Sequence, residues 1–435
     1  MNSHALSALG RRTEAPPISW LMATALARPR LISLAAGFTD NESLPVPEVR
    51  ELLAELLGSG RTGQAALQYG TTAGDPALRE LTACRLQSLD GGPESGAYSP
   101  QRVLITNGSQ QMLYIVTEAL CDPGDIVLVE DPTYFVYLGI IQSHGLQARG
   151  VRMQADGIDL AHLEAVLAGL KRKGQLSRVK LLYLVSYYQN PSGVTTSFEK
   201  KACALKVLRA YERAAGHPIY LLEDAAYREL RFPAAAGTEV AAPEPASALA
   251  ARGSASRVIY AGTYSKPFAT GVRVGFGLLP ESVFTAAWRI KGNHDFGSSN
   301  LLQQLLARAL ASGRYEQHLN ALQKRYARKA QAMLAGMAAE FPATVRWQAP
   351  AGGLYVWARL SPRLKSGMKS KLFRAALDKE VLYVPGELCY AEDASRPRPN
   401  HELRLSFGAA TEANIRAGIK RLAAAFAPFA QEAGD

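Results

Sequence analysis

The residues best placed to do chemistry sit in four short runs, each after an apolar stretch. The first is Thr263-Tyr264-Ser265-Lys266, followed by Arg273 within the glycine-flanked run Gly271-Val272-Arg273-Val274-Gly275. A loop lysine standing alone is a solvated charge. Here, two hydroxyls and a guanidinium fork match a phosphate ester. A lysine amine beside a phosphate-bearing aldehyde can form a Schiff base. The second run, Ile105-Thr106-Asn107-Gly108-Ser109-Gln110-Gln111, closes a strand with a small polar turn and opens a helix. Free N–H groups and the helix dipole favour a phosphate there, although Asn107 or Ser109 acting only as a cap would look the same. In the third, Leu222-Glu223-Asp224-Ala225-Ala226-Tyr227, Asp224 suits a carboxylate that keeps a pyridine nitrogen protonated, with Tyr227 near the ring's phenolic oxygen. The alternative is an exposed acid ending a strand. The fourth, Tyr188-Gln189-Asn190-Pro191-Ser192-Gly193, offers an amide for the same oxygen, whereas its Pro and Gly alone would mark a turn.

The elements that must position these runs are legible from periodicity. Arg102–Ile105, Ile126–Val129, Val179–Val185, Ile219–Leu222, Arg257–Tyr260 and Val274–Leu279 read as strands. Gln110–Leu120, Ala161–Lys171 and Glu199–Ala215 read as helices between them. Strands alternating with helices predict an α/β fold, a large domain with a mostly parallel central sheet sandwiched by helices. Leu301–Phe341 reads as one long helical stretch, followed by a smaller α+β domain to which the first fifty residues contribute. Ala234–Ser254, rich in Ala, Pro, Gly and Glu, reads as a surface insertion or flexible loop. Polar runs at separate strand ends converge on the carboxyl edge of a parallel sheet, where ligands bind. Together they describe the protein's part in pyridoxal phosphate chemistry.

Composition bounds the reading without choosing it. The chain has 435 residues, 48% hydrophobic and 20% charged, with 49 Lys plus Arg against 38 Asp plus Glu. Its formal net charge of +11 would suit nucleic acid, anionic lipid or small acidic ligands. No apolar run approaches the roughly 18 residues of a membrane span. Arg11-Arg12 superficially suggests a twin-arginine signal, but Glu14, Pro16, Pro17, Arg28 and Arg30 break that anatomy. The four cysteines and seven histidines are scattered, which predicts reduced thiols in a cytoplasmic protein and no metal site. No internal repeat is evident.

These runs, in order, resemble the fold-type I pyridoxal-phosphate-dependent class I/II aminotransferases, nearest the α-aminoadipate/kynurenine aminotransferase branch. The resemblance runs from about Leu34 to Leu422. It includes Leu34-Ala-Ala-Gly37, Tyr69-Gly70, Leu78-Arg79, Gly108-Ser-Gln-Gln111, Asp131-Pro-Thr-Tyr134 and Asn190-Pro-Ser-Gly193. It continues through Glu223-Asp-Ala-Ala-Tyr227, Tyr264-Ser-Lys266, Asn293-His-Asp-Phe296, Gly352-Gly-Leu-Tyr-Val-Trp357, Val384-Pro-Gly386 and Leu403-Arg-Leu-Ser-Phe-Gly408.

The resemblance implies a cofactor, pyridoxal 5'-phosphate, bound by Lys266 as a Schiff base, with Lys266 then moving the substrate's Cα proton. Asp224 would pair with the pyridine nitrogen, and Asn190 and Tyr227 with the ring's 3-oxygen. Gly108, Ser109, Gln110, Thr263, Ser265 and Arg273 would hold the phosphate, and Tyr134 would stack on the ring. Arg404 would clamp the substrate α-carboxylate, with Gly37 and Asn190 beside it. Tyr69 would reach a neighbouring subunit's phosphate, which implies a homodimer. The organisation implied is an N-terminal arm and part of the small domain over 1–52, the cofactor domain over 53–310 and the small domain over 311–435. Asn190–Pro191 is expected cis.

The chain departs from the aspartate-type pattern in two places. Tyr134 replaces a tryptophan, and no second arginine is placed for a distal carboxylate, so Phe38, Tyr69 and Phe296 suggest an aromatic or long-chain pocket. The expected reaction is ping-pong transfer of an amino group from an L-amino acid (aromatic, aminoadipate-like or broad) to a 2-oxo acid such as 2-oxoglutarate. Alternatives are a lyase or decarboxylase with the same cofactor shell and an aminotransferase-like transcription regulator. The regulator is disfavoured because Tyr69-Gly70 comes too early to leave room for a DNA-binding domain, so neither nucleic acid nor membrane is expected as a partner. A degenerate binding protein is disfavoured because every expected catalytic position is retained.

Overall fold

The computed structural model describes residues 5–92, 96–233, 244–393 and 396–429. Its strands are, in chain order, β1 Ile32–Ser33, β2 Val103–Thr106, β3 Ile126–Asp131, β4 Gln147–Gln154, β5 Gly157–Ile158, β6 Val179–Val185 and β7 Tyr220–Asp224. They continue as β8 Val258–Thr263, β9 Gly275–Leu278, β10 Arg346–Trp347, β11 Tyr355–Arg359, β12 Val381–Leu382, β13 Val384–Pro385 and β14 Glu402–Ser406.

Eight strands form one sheet in the order β2-β9-β8-β7-β6-β3-β4-β5. From β8 to β4 every pairing is parallel, while β9 runs antiparallel between β2 and β8. β2, β8 and β9 are buried throughout because helices cover both faces, which is why these strands read as uninterrupted apolar runs. β2, β3, β6, β7 and β8 all point the same way, so the segments after Thr106, Asp131, Val185, Asp224 and Thr263 share one edge of the sheet.

A second sheet, β10-β11-β14-β13, is antiparallel. The N-terminal arm runs beside it, with β1 paired in parallel to β12 as a separate two-stranded sheet. Ile32 and Leu34 donate backbone bonds to Glu380 and Leu382 (2.9 and 2.8 Å), and Ser406 N–H returns one to Leu34 at 2.7 Å. This lays Ala35, Ala36 and Gly37 against β14, over the carboxyl edge of the large sheet.

Two expectations need correction, and one helix had no reading. The stretch Leu301–Phe341 is two helices, Asn300–Ala311 and Arg314–Glu340, broken at Gly313, whose φ of 74° belongs to the left-handed region. Of the supposed loop Ala234–Ser254, residues 234–243 lie outside the described residues, but the remainder is packed. Ala248 and Leu249 are buried, and Ala248 N–H donates to Glu223 at 2.7 Å. A helix over Phe135–Ser143 was not foreseen, because its sequence FVYLGIIQS is apolar almost all round and shows no stripe. Asn190–Pro191 is cis, and so is Asp131–Pro132.

Candidate active site

Where β8 ends, Thr263 and Ser265 face inward and are buried. Thr263 Oγ1 donates to the Val274 carbonyl (3.2 Å) and accepts the Ser265 N–H (3.0 Å), a local bond set that turns the chain. The buried Ser265 hydroxyl has no partner among the described residues. The neighbouring helix Ser109–Leu120 starts at Gly108 (φ 78°) with no side-chain cap. Asn107, read from the sequence as a cap, instead gives its amide to Asp295 at 2.7 Å. The Ser109 and Gln110 N–H groups are therefore left to an anion, while Gln111 N–H bonds the Gly108 carbonyl at 3.2 Å. Arg273, itself left-handed at φ 49°, leans over this turn, and a Cβ on Gly108 would meet its guanidinium at 2.6 Å. Gly275 is required by backbone contact, since its Cβ would lie 2.3 Å from the Ser109 nitrogen. Gln110 occupies the same first turn, with its side chain exposed.

Lys266 lies between this turn and the arm, its Nζ donating to the Gly37 carbonyl at 2.8 Å. Burial, reinforced by the positive charge of Arg273 and Arg404, brings its amine down to about 8. Asp224 ends β7 at 4% exposure, so the exposed-acid reading fails. Its carboxylate accepts from Tyr183 Oη at 2.8 Å and from Ala226 N–H at 3.1 Å. Burial nevertheless raises it to about 6, against the pull of those two bonds. No cation among the described residues pairs with it.

Asn190 and Tyr227, both buried, meet at 3.3 Å through the Asn amide and the phenol. Asn190 Oδ1 accepts Arg404 Nη1 at 2.6 Å, and Arg404 Nη2 reaches the Ala35 carbonyl at 2.7 Å. Arg404 projects from the middle of the small sheet, where it is paired with both Trp357 and Val384. At 2% exposure it has no acid partner among the described residues, and its Nε is unbonded. Tyr134 caps the helix Phe135–Ser143 within electrostatic reach of Asp224, Arg404 and Arg273, and burial raises its phenol. Two expected residues stand apart. Tyr69 is 83% exposed with its ring edge-on to Phe296 at 5.4 Å, and the Gln110 side chain faces solvent.

Sequence reasoning missed several contributors. Tyr183 is the one polar-tipped side chain in the buried part of β6, a signal that was available. Tyr355 sits inside a quoted motif without a role, yet its hydroxyl lies 3.0 Å from Tyr227 Oη and its ring 4.2 Å beneath the Arg404 guanidinium. Glu130, raised to about 8 by burial, accepts from Gln189 Nε2 and Val185 N–H at 2.9 Å and so holds the Asn190 loop. The Ala35 carbonyl has no sequence signal at all. Among the described residues no cluster of His, Cys, Asp or Glu could hold a metal, and no helix is long and apolar enough to cross a membrane.

The donor set fits pyridoxal phosphate. An unpartnered hydroxyl, an open helix start and an arginine suit a phosphate, a counter-ion-free carboxyl suits a pyridinium, and a near-neutral amine suits an aldehyde.

Comparison with known proteins covers most of the chain. The 2-aminoadipate transaminase of Thermus thermophilus is 34% identical over 91% of this chain and 90% of its own length. Aromatic-amino-acid aminotransferase 1 of Thermococcus litoralis is 32% identical over 90% of this chain and 87% of its own. The kynurenine aminotransferase of Pyrococcus horikoshii, solved in complex with PMP, superposes with a TM-score of 0.86 at 30% identity, covering 98% of each chain. The family profile of aminotransferase class I and II matches residues 29–422, and the chain belongs to that family.

Proposed function

We propose that this aminotransferase moves the amino group of an aromatic, 2-aminoadipate-like or broad range of L-amino acids to a 2-oxo acid such as 2-oxoglutarate, in two half-reactions. One observation carries the reading. Two buried groups of opposite sign, Asp224 and Arg404, both lack a counter-ion among the described residues. A buried charge without a partner is costly, so each is complementary to something that binds.

Pyridoxal phosphate, when bound, supplies a ring that accepts electrons from the substrate's Cα. The chain's own groups do the rest. Lys266 would hold the cofactor covalently, and its amine, once freed by the substrate, would carry the Cα proton to the cofactor carbon that bore the aldehyde. The Gly37 carbonyl orients that amine, and its low proton affinity keeps much of it neutral near pH 8. Asp224 keeps a proton at the pyridine nitrogen, with Tyr183 and Ala226 N–H fixing the carboxylate. Tyr227 and Asn190 serve the ring oxygen, and Tyr134 covers the ring face. Ser265, Arg273 and the backbone N–H groups of Ser109 and Gln110 take the phosphate, with Gly108 and Thr263 shaping the turn that holds it. Arg404, Asn190 and Gly37 receive the α-carboxylate, and the two sheets together exclude water.

The same reading makes the protein a homodimer, with Tyr69 completing the neighbouring site. Its exposure beside the exposed Phe296 supports this. It divides the chain into an arm to residue 52, a cofactor domain to 310 and a small domain beyond. The four cysteines, all unpaired thiols, favour the cytoplasm.

The test is to add pyridoxal phosphate to purified protein, reduce with borohydride and map the tagged lysine. Stopped-flow absorbance with a panel of amino acids then ranks the donors. Tagging at Lys266 and fast bleaching by aromatic or 2-aminoadipate donors are expected. Tagging elsewhere, or no response to any amino acid, sinks the reading.

A further inference from the structure

Four side chains in the site form a closed ring of contacts. Tyr355 Oη lies 3.0 Å from Tyr227 Oη, and Tyr227 Oη 3.3 Å from Asn190 Nδ2. Asn190 Oδ1 lies 2.6 Å from Arg404 Nη1, and the Arg404 guanidinium covers the Tyr355 ring at 4.2 Å. The register builds the last contact, because Tyr355 pairs with Ser406 and Trp357 with Arg404, making Tyr355 and Arg404 diagonal neighbours on one face.

The direction of each hydrogen bond can be worked out from donors and acceptors. A guanidinium only donates, so Asn190 must turn its oxygen to Arg404 and its NH2 to Tyr227. Tyr227 therefore accepts from Asn190, which leaves it one hydrogen and one lone pair. If Tyr227 spends that hydrogen on Tyr355, it has none for a cofactor oxygen. If Tyr355 donates instead, the Tyr227 hydrogen is free. Tyr355 Oη has no other hydrogen-bond partner among the described residues to compete for its hydrogen. It is also pinned in place, since a Cβ on Gly37 would stand 2.5 Å from it.

We propose that Tyr355 is a positioning residue for this reaction. Its hydroxyl donates to Tyr227, so that Tyr227 presents its own hydrogen to the cofactor's ring oxygen, while its ring supports the carboxylate-binding Arg404. This rests on the reading that the site takes pyridoxal phosphate at Lys266. The two roles separate by substitution. Tyr355→Phe keeps the ring and removes only the donor, and Tyr355→Leu removes both.

The experiment is a pH titration of the visible absorbance of the lysine-bound cofactor in wild type, Tyr355→Phe, Tyr227→Phe and the double variant. A hydrogen donated to the ring oxygen withdraws its negative charge and lowers the chromophore's midpoint. Tyr355→Phe weakens that donation and should raise the midpoint by about 0.3–1 pH unit. In the Tyr227→Phe background the same change should add nothing, because its target is gone. Steady-state kinetics should show the KM for the amino acid within about threefold of wild type in Tyr355→Phe and at least tenfold higher in Tyr355→Leu. No midpoint shift, or an equal shift in both backgrounds, overturns the Tyr355 proposal while leaving the cofactor reading intact. Absence of a Lys266-bound chromophore in the wild type overturns both.

Discussion

Arg404 Nη1 stands 2.6 Å from Asn190 Oδ1, joining the small sheet to a strand end of the large one through a buried guanidinium with no acid to neutralise it. An incoming carboxylate is the missing acid, and the planar fork offers it two parallel donors. Arg404→Lys keeps a positive charge but loses the fork and the grip on Ala35 and Asn190. The expected result is a fall of about 10²-fold or more in kcat/KM for amino acids. Primary amines of equal side chain but no carboxylate should be unaffected. Measuring both on one preparation checks it, and an equal fall for both would show that Arg404 does not bind the carboxylate.

Lys266 has its amine brought from the usual lysine value to about 8 by burial first, then by Arg273 and Arg404. The neutral, nucleophilic amine should therefore appear roughly two and a half pH units below that of an ordinary lysine. Competitive acetylation of apo protein across pH should give a half-maximal rate for Lys266 near pH 8. Arg404→Gln removes one disfavouring cation and should move that midpoint upward. A Lys266 midpoint that matches the surface lysines would refute the electrostatic account.

These relationships explain what the sequence could and could not disclose. The central strands were legible because they are buried on both faces, so Val179–Val185 or Arg257–Tyr260 has few other readings, although the latter strand runs on to Thr263. The residues just beyond them were legible because a parallel sheet brings its strand ends to one edge. Phe135–Ser143 carried no stripe, and the break at Gly313 lies within a run helical on both sides. Tyr355 and the Ala35 carbonyl gain their roles only when the two chain ends are folded over the large sheet, and local pattern carries no trace of that.

Asp224 is raised to about 6, above its unfolded value, so the folded chain holds this proton more tightly than the unfolded one. Its contribution to stability is full below about pH 4 and is lost as pH rises through 6, a swing of about 1–3 kcal/mol in the apo protein. Glu130, raised to about 8, adds a loss of the same sign that extends to higher pH. Asp224→Asn should flatten the apo unfolding midpoint between pH 4 and 6, as read from urea titrations. The same change should cut transamination by about 10²-fold or more, because the pyridine nitrogen loses its charged partner. An unchanged pH profile of stability in Asp224→Asn would show that another group governs it.

Asp40 fixes the far side of the arm segment that carries Gly37. Its carboxylate binds Lys329 Nζ at 2.7 Å and also Arg325, both from the helix Arg314–Glu340, and its N–H donates to Tyr326 Oη at 3.2 Å. Lys329 also donates to the Gly408 carbonyl at 2.9 Å, so one buried ammonium ties the arm to the segment after β14. Removing one member of such a buried pair leaves the other partly uncompensated. With Arg325 still in place, Lys329→Met should cost about 2–4 kcal/mol, less than loss of a sole partner. The arm should then open more often, so trypsin should cut after Arg30 several times faster in native buffer. Because Gly37 orients Lys266 and borders the Arg404 site, the KM for the amino acid should rise with it. Adding Asp40→Asn should recover part of the lost stability, since no buried carboxylate is then left short of a cation. If the double variant is as unstable as the two single losses added together, the Asp40–Lys329 contact does not anchor the arm.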